Sequence, residues 1–183
     1  MALADGTNCG FVTAAPVADP EGAGGNIQDT RCYALKVTAP AGATAITEIG
    51  WWCDNATEAA DFDVGIYSHN VGGNIPDALL ASSGDVAKGT DAGWKSGSVA
   101  VAVTAGTVYW LAVVVDNTTT TTSGNYGGSG KLDYFSSTAT PLQATWPGSD
   151  ATQDDLYGIY AIYTTATGSS VVQIASTSRR RRG

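Results

Sequence analysis

One histidine in 183 residues leaves little room for acid-base chemistry. His69 is that residue, so a Ser-His-Asp or Cys-His arrangement has no choice of base. Its place beside Asn70, at a turn, reads as a solvated surface position. Cysteine is scarce and odd in number. Cys9, Cys32 and Cys53 fit either one disulfide with a leftover thiol or three reduced, buried thiols. With no cluster of His and Cys, a zinc site is not expected. Charged residues make up 14% of the chain, against roughly 25% in ordinary soluble domains. No apolar run is long enough to cross a membrane as a helix. The opening MALADGTNCG has neither a basic stretch nor an apolar one, so no secretory signal is read there.

What the chain does have is glycine, threonine and short apolar runs of period two. Cys32 to Val37 alternates, with Tyr33, Leu35 and Val37 on one face, and Pro40-Ala41-Gly42 ends it. Thr44 to Cys53 and Asp61 to Tyr67 read as the next strands. In the latter, Phe62, Val64 and Ile66 face one way and Asp61, Asp63 and Gly65 the other. Asn70 to Asn74 is a turn closed by Pro76, and Leu79-Leu80 opens a short strand. Val99, Val101 and Val103 alternate with small residues, Thr104-Ala105-Gly106 turns, and Thr107 to Val115 returns. That pattern predicts a hairpin, and its second arm, apolar on both faces, belongs inside a sheet. Thr118 to Gly128 is a long polar loop. Leu132 to Phe135, Tyr157 to Tyr163 and Val171 to Ile174 complete about eight or nine strands.

Residues 1–30, rich in Ala, Gly, Pro and Asp, read as an extended arm with Phe11 and Val12 as its apolar anchors. Such a segment has too little to bury alone and needs a body or a partner to lie on. Residues 31–176 form the β-sandwich domain, and 177–183 a basic tail. Four of the nine cations are Arg179, Arg180, Arg181 and Arg182, which leaves five cations against seventeen acids in the first 178 residues, a balance of −12. An acidic body repels nucleic-acid phosphates, so nucleic acid is disfavoured as a partner.

The search for chemistry yields weak patterns. Asp61 and Asp63 share a strand face and read as solvent-facing carboxylates, as do Asp154 and Asp155 in a polar loop. Paired carboxylates serve glycoside hydrolysis only at defined separations. Asp61 and Asp63 with Asp54 and Asn55 are the one calcium alternative, without EF-hand spacing; no other cofactor is expected. Gly127 to Lys131 fails the P-loop pattern, with Asn125 at its first glycine position and Leu132 where Ser or Thr should follow. Trp94, Tyr126 and Trp146, in or near loops, are the candidates for stacking on a sugar. Core or interface packing is the competing role for each.

One set of segments resembles a known module. Val64-Gly65-Ile66-Tyr67-Ser68 is followed by Pro76-Asp77-Ala78-Leu79-Leu80-Ala81, then Gly93-Trp94, then Val103-Thr104-Ala105-Gly106-Thr107-Val108-Tyr109-Trp110-Leu111-Ala112-Val113. This string is similar to a jelly-roll β-sandwich module of bacterial surface proteins and phage virion proteins. The resemblance implies surface display, attachment or carbohydrate contact, and it carries no catalytic residues.

The expected fold is therefore all-β, a jelly-roll-like antiparallel sandwich with an N-terminal arm and a basic C-terminal tail. The expected function is non-enzymatic: a virion structural protein, such as a phage capsid decoration, head-fibre or tail component. Its partners would be copies of itself and other virion proteins. Phe11, Val12 and Arg179 to Arg182 are the candidate assembly contacts. The alternative is a carbohydrate-binding module or adhesin, extracellular or at a cell surface, that takes a host surface glycan.

Overall fold

The computed structural model describes residues 1–20, 27, 31–53, 60–116, 140–146, 148, 150 and 156–166, and the backbone of 132–136 and 151–153. Among these residues there is no helix. Eleven strands occur: β1 Gly10–Val12, β2 Arg31–Thr38, β3 Ala43–Cys53, β4 Asp61–Asn70, β5 Ile75–Ser82, β6 Val86–Ala87, β7 Gly93–Ala102, β8 Val108–Val115, β9 Leu132–Ser136, β10 Ala151–Gln153 and β11 Ile159–Thr165. The molecule is an all-β sandwich. One sheet has the order β1-β11-β3-β7, and the other runs β10-β9-β2-β8-β4-β5 with β6 alongside β4. The blocks β1-β11-β3-β7 and β2-β8-β4-β5 have the strand orders of a jelly roll, and β9 and β10 extend the second beyond β2. One pairing departs from the expected antiparallel pattern: β1 runs parallel to β11.

Between the sheets lies the main core. Tyr33, Leu35 and Val37 of β2, Phe62, Val64 and Ile66 of β4, and Leu111, Val113 and Val115 of β8 meet Ile46, Ile49 and Trp51 of β3 and Ile159 of β11. These are the period-two faces visible in the sequence. Sulfur is part of this interior: Cys9 and Cys53 lie in it, Cys32 is buried on the other face of its sheet, and no disulfide joins them. Burial, helped by the nearby Asp5 charge, pushes the Cys9 thiol up to about 12, and burial raises that of Cys32 as well.

The predicted hairpin of residues 99–115 does not form. β7 pairs with β3 in one sheet, while β8 lies between β2 and β4 in the other. The Thr104-Ala105-Gly106 turn, with Gly106 at φ 76°, instead carries the chain from one sheet to the other. The reason lies in β8. Being apolar on both faces, it needs strands on both sides and a cover on each face, and a hairpin partner supplies one neighbour only. The hairpin that does form joins β4 and β5. Asn70 Oδ1 accepts from the Gly73 amide at 3.0 Å, and Asn74 takes φ 53°. β5 starts at Ile75, earlier than Leu79, because Pro76 is tolerated on an edge strand whose outer amide needs no ladder partner.

The outer face of β8 has its own core. Trp110, Ala112 and Val114 join Cys32 and Ala34 of β2 and Tyr67 of β4 under Leu142 and Trp146. Residues 140–146 thus form a strap across the second sheet. Asp63, expected to face solvent, is 0% exposed beneath it. Its Oδ2 accepts the Leu142 amide at 2.7 Å, and Ser83 Oγ donates to Oδ1 at 3.1 Å. Tyr67 donates its hydroxyl to the Gln143 carbonyl at 2.7 Å. Gly65 leaves the space that Leu142 fills, since a Cβ there would stand 2.7 Å from Leu142 Cδ1.

Asp63→Ala removes the acceptor of the strap and leaves the buried Leu142 amide unsatisfied. Hydrogen bonds to charged groups contribute about 1.5–3 kcal/mol, so this variant should lose about 2 kcal/mol in denaturant unfolding. An unchanged midpoint and slope would show that the strap does not depend on this carboxylate.

Candidate functional site

The sheet edges present the molecule's most distinctive surface. A strand at an edge carries unpaired amides and carbonyls, and proteins blunt such edges by shortening or covering them. Here β1 and β10 have three residues each. β5 is covered by the strap: the Leu79 amide donates to the Ala144 carbonyl at 2.9 Å, and the Trp146 amide to the Asp77 carbonyl at 2.7 Å. β7 is different. It is ten residues long, and among the described residues its one lateral neighbour is β3.

The register tells which β7 amides face outward. Trp52 of β3 donates its amide to the Gly158 carbonyl at 2.8 Å, on the β11 side. Trp52 stands opposite Trp94, Gly50 opposite Ser96 and Glu48 opposite Ser98. Because hydrogen-bonded and non-hydrogen-bonded pairs alternate in an antiparallel ladder, the amides of Trp94, Ser96 and Ser98 point away from β3. The regular ladder covers Gly93 to Ser98, and a bulge follows between Ser98 and Val101. Ser96, Ser98, Ala100 and Ala102 are exposed and small, and Lys95 is the only charged side chain on the strand.

The sandwich has an acidic end. β3 finishes at Cys53, β8 at Val115, and β4 and β7 begin there, as their register requires. Asp61, Asp85, Asp91 and Asp116 gather around these strand ends, the first three exposed. The Asp61 amide donates to Asp116 Oδ1 at 2.7 Å.

On the outer face of the β7 sheet, Trp94 is half-buried. It sits edge-to-face against Trp52 and Tyr160, each with ring centroids 5.3 Å away. Its indole N–H donates to the Ala18 carbonyl at 3.1 Å, which holds the ring against the N-terminal segment. Tyr160 lies over Gly50 and donates its hydroxyl to Glu48 at 2.7 Å. Burial and that carboxylate raise the Tyr160 phenol above its ordinary range.

At the opposite end, Ser68, His69, Val71, Thr107, Val108 and Tyr109 line an open groove of about 320 Å³. His69 is half-buried rather than solvated. Its Nδ1 accepts the Trp110 indole N–H at 3.1 Å, which leaves Nε2 as the protonated nitrogen of the neutral ring. Desolvation, then the Lys36 charge, lowers its pKa. Lys36 itself donates to Asn74 Oδ1 at 2.5 Å. Among the described residues, the groove lining contains no carboxylate or thiol.

Several predicted site residues lie elsewhere than expected. Phe11 and Val12 are 5% and 2% exposed and sit inside their own chain; β1 adds to β11, so these side chains are not available to a partner subunit. Trp146, at the end of the strap, is 5% exposed and edge-on to Tyr67, which removes it as a sugar-stacking platform. Asp63 has both oxygens engaged and is lost to a calcium site. Tyr126 and Arg179, Arg180, Arg181 and Arg182 lie outside the described residues, as do Asp54, Asn55, Asp154 and Asp155. Of the two predicted stacking residues that are described, Trp94 retains an accessible surface. The β7 edge was hidden by the hairpin expectation, which gave that strand a second neighbour. The signal for it is the small outward set Ser96, Ser98, Ala100 and Ala102.

No protein-family profile matches the chain, and no curated protein or solved structure does either.

Protonation of His69 is disfavoured in the folded state. Its stabilising contribution is therefore present above the unfolded pKa and fades as pH falls through the folded one. Its imidazole should titrate below the ordinary histidine value when followed by proton NMR, and Lys36→Met should move the midpoint back up. A midpoint at or above that of a free histidine would contradict this placement.

Proposed function

We propose that the chain is a non-enzymatic virion structural protein, a phage capsid decoration, head-fibre or tail component, that works by subunit assembly and surface display. The observation that carries this reading is β7, a ten-residue edge with one lateral neighbour among the described residues. Strand addition at such an edge supplies main-chain hydrogen bonds, and side-chain fit supplies specificity. The charge asymmetry supports the same reading. A body of −12 and a run of four arginines attract each other between copies, and guanidinium groups pair with carboxylates in a fork. The similarity of the Val64–Asn117 segments to phage virion modules points the same way.

A second reading, a carbohydrate-binding module or adhesin, draws support from Trp94. Its ring is braced by Trp52 and Tyr160, and a rigid, part-exposed indole suits stacking on a sugar. The two readings are compatible in one protein, since a displayed subunit can hold a host glycan.

Light scattering of the full chain over a range of salt tests the first reading. Oligomers that dissociate as salt rises are expected. A monomer at every salt and protein concentration would count against it. A glycan array with wild type and Trp94→Ala tests the second: binding lost in the variant supports it, and no binding by the wild type removes it.

A further inference from the structure

The outer face of the β1-β11-β3-β7 sheet carries more than the Trp94 ring. We infer that it takes an uncharged oligosaccharide, laid along β7 from Trp94 to the carboxylate of Glu48, with the Ser96 and Ser98 hydroxyls between them. This rests on the carbohydrate-binding reading, and it names the class of glycan and the side chains that select it.

Register brings these groups onto one face. Trp94 stands opposite Trp52, Ser96 opposite Gly50 and Ser98 opposite Glu48, and residues paired across two strands point to the same side of a sheet. That side is the outer one. Gly97, between Ser96 and Ser98, faces Ser83 and Val64 beneath, so its neighbours in the strand face away from the core. Trp94 to Ser98 spans about 13 Å of strand, which accommodates a short row of sugar rings. All four side chains reach solvent: Ser96 and Ser98 are exposed, and Trp94 and Glu48 are half-buried.

Each group has chemistry suited to a sugar. The indole is fixed by edge contacts with Trp52 and Tyr160 and by its bond to the Ala18 carbonyl, so stacking on it costs little ordering. One Glu48 oxygen accepts the Tyr160 hydroxyl. Among the described residues its other oxygen takes no hydrogen bond, and an ionised carboxylate accepts several. A sugar hydroxyl completes it with a short, charge-assisted bond. The serine hydroxyls both donate and accept.

Charge sets the class. Lys95 is the only cation in the four strands of this sheet, and alternation turns it toward the other sheet. A uronate or sulfate would therefore meet Glu48 with no cation from these strands on the same face. The acidic body adds to that repulsion, and an uncharged sugar escapes both.

The test puts the full chain on an array of uncharged hexose and N-acetylhexosamine oligosaccharides beside their uronate, sialylated and sulfated counterparts. Binding confined to the uncharged set is expected. The tightest of these, followed by calorimetry, should bind Glu48→Gln about tenfold more weakly. That variant keeps an acceptor for Tyr160 and removes only the charge. Ser98→Arg, at an exposed position, should weaken binding as much by blocking the row, and it serves if Glu48→Gln fails to fold. Thermal unfolding checks both. Binding that both variants keep and Trp94→Ala loses would overturn this row and leave the carbohydrate reading standing. A preference for the acidic glycans would overturn the class and leave that reading standing too. Binding that survives Trp94→Ala, or no binding to any member of the array, would overturn both.

Discussion

The structure depends on giving β8 cover on two faces. Residues 108–115 are almost continuously apolar, and a strand of that kind is stable only with a neighbour on each side and material above and below. β2 and β4 take the sides. The β1-β11-β3-β7 sheet covers one face and the strap of residues 140–146 the other. Asp63 is the joint between β4 and that strap. A buried carboxylate is tolerated because the Leu142 amide and the Ser83 hydroxyl both reach it, and burial without such partners would be costly. The same strap also lies along β5, so one short segment covers an apolar face and a sheet edge together.

Covering β5 in this way leaves the two sheets unequal. The second sheet ends in a protected strand on the side where the first ends in β7. Bulges and charges usually discourage strand addition at an exposed edge. β7 has a bulge near its end and a single lysine, and its first six residues form a regular ladder with β3. The acidic strand ends lie next to that regular part. Hydrogen-bonding capacity and charge are thus concentrated at one corner of the molecule, while His69, Lys36 and the small groove occupy the opposite end.

Much of the fold was legible in the sequence because a sandwich core repeats every second residue. Tyr33, Leu35 and Val37, or Phe62, Val64 and Ile66, face inward as their alternation requires. What the alternation does not encode is which strands are neighbours. The turn after Val103 looks like a hairpin turn because a tight turn and a sheet-to-sheet corner use the same residues, Gly106 included. Asp63 looked solvent-facing because alternation separates the two faces of a strand without saying what lies over the polar one. Nothing near Asp63 in sequence announces a cover that comes from Leu142, 79 residues later. The candidate site was legible in part. Trp94 kept its surface, whereas Trp146 and Phe11 went to the interior because apolar rings in short segments settle wherever a nearby face is left bare.

Pairing of Gly10 with Tyr160, 150 residues later, has a consequence for how the chain is made. β1 is the first of the eleven described strands, and the strand it lies against is the last of them. Phe11 and Val12 therefore stay without their sheet neighbour until Ala161 and Ile162 have been made. Contacts of such long sequence separation also carry the largest loop-closure cost and form slowly. The β1–β11 pairing therefore closes late, after β3 and β7 of the same sheet have both been made.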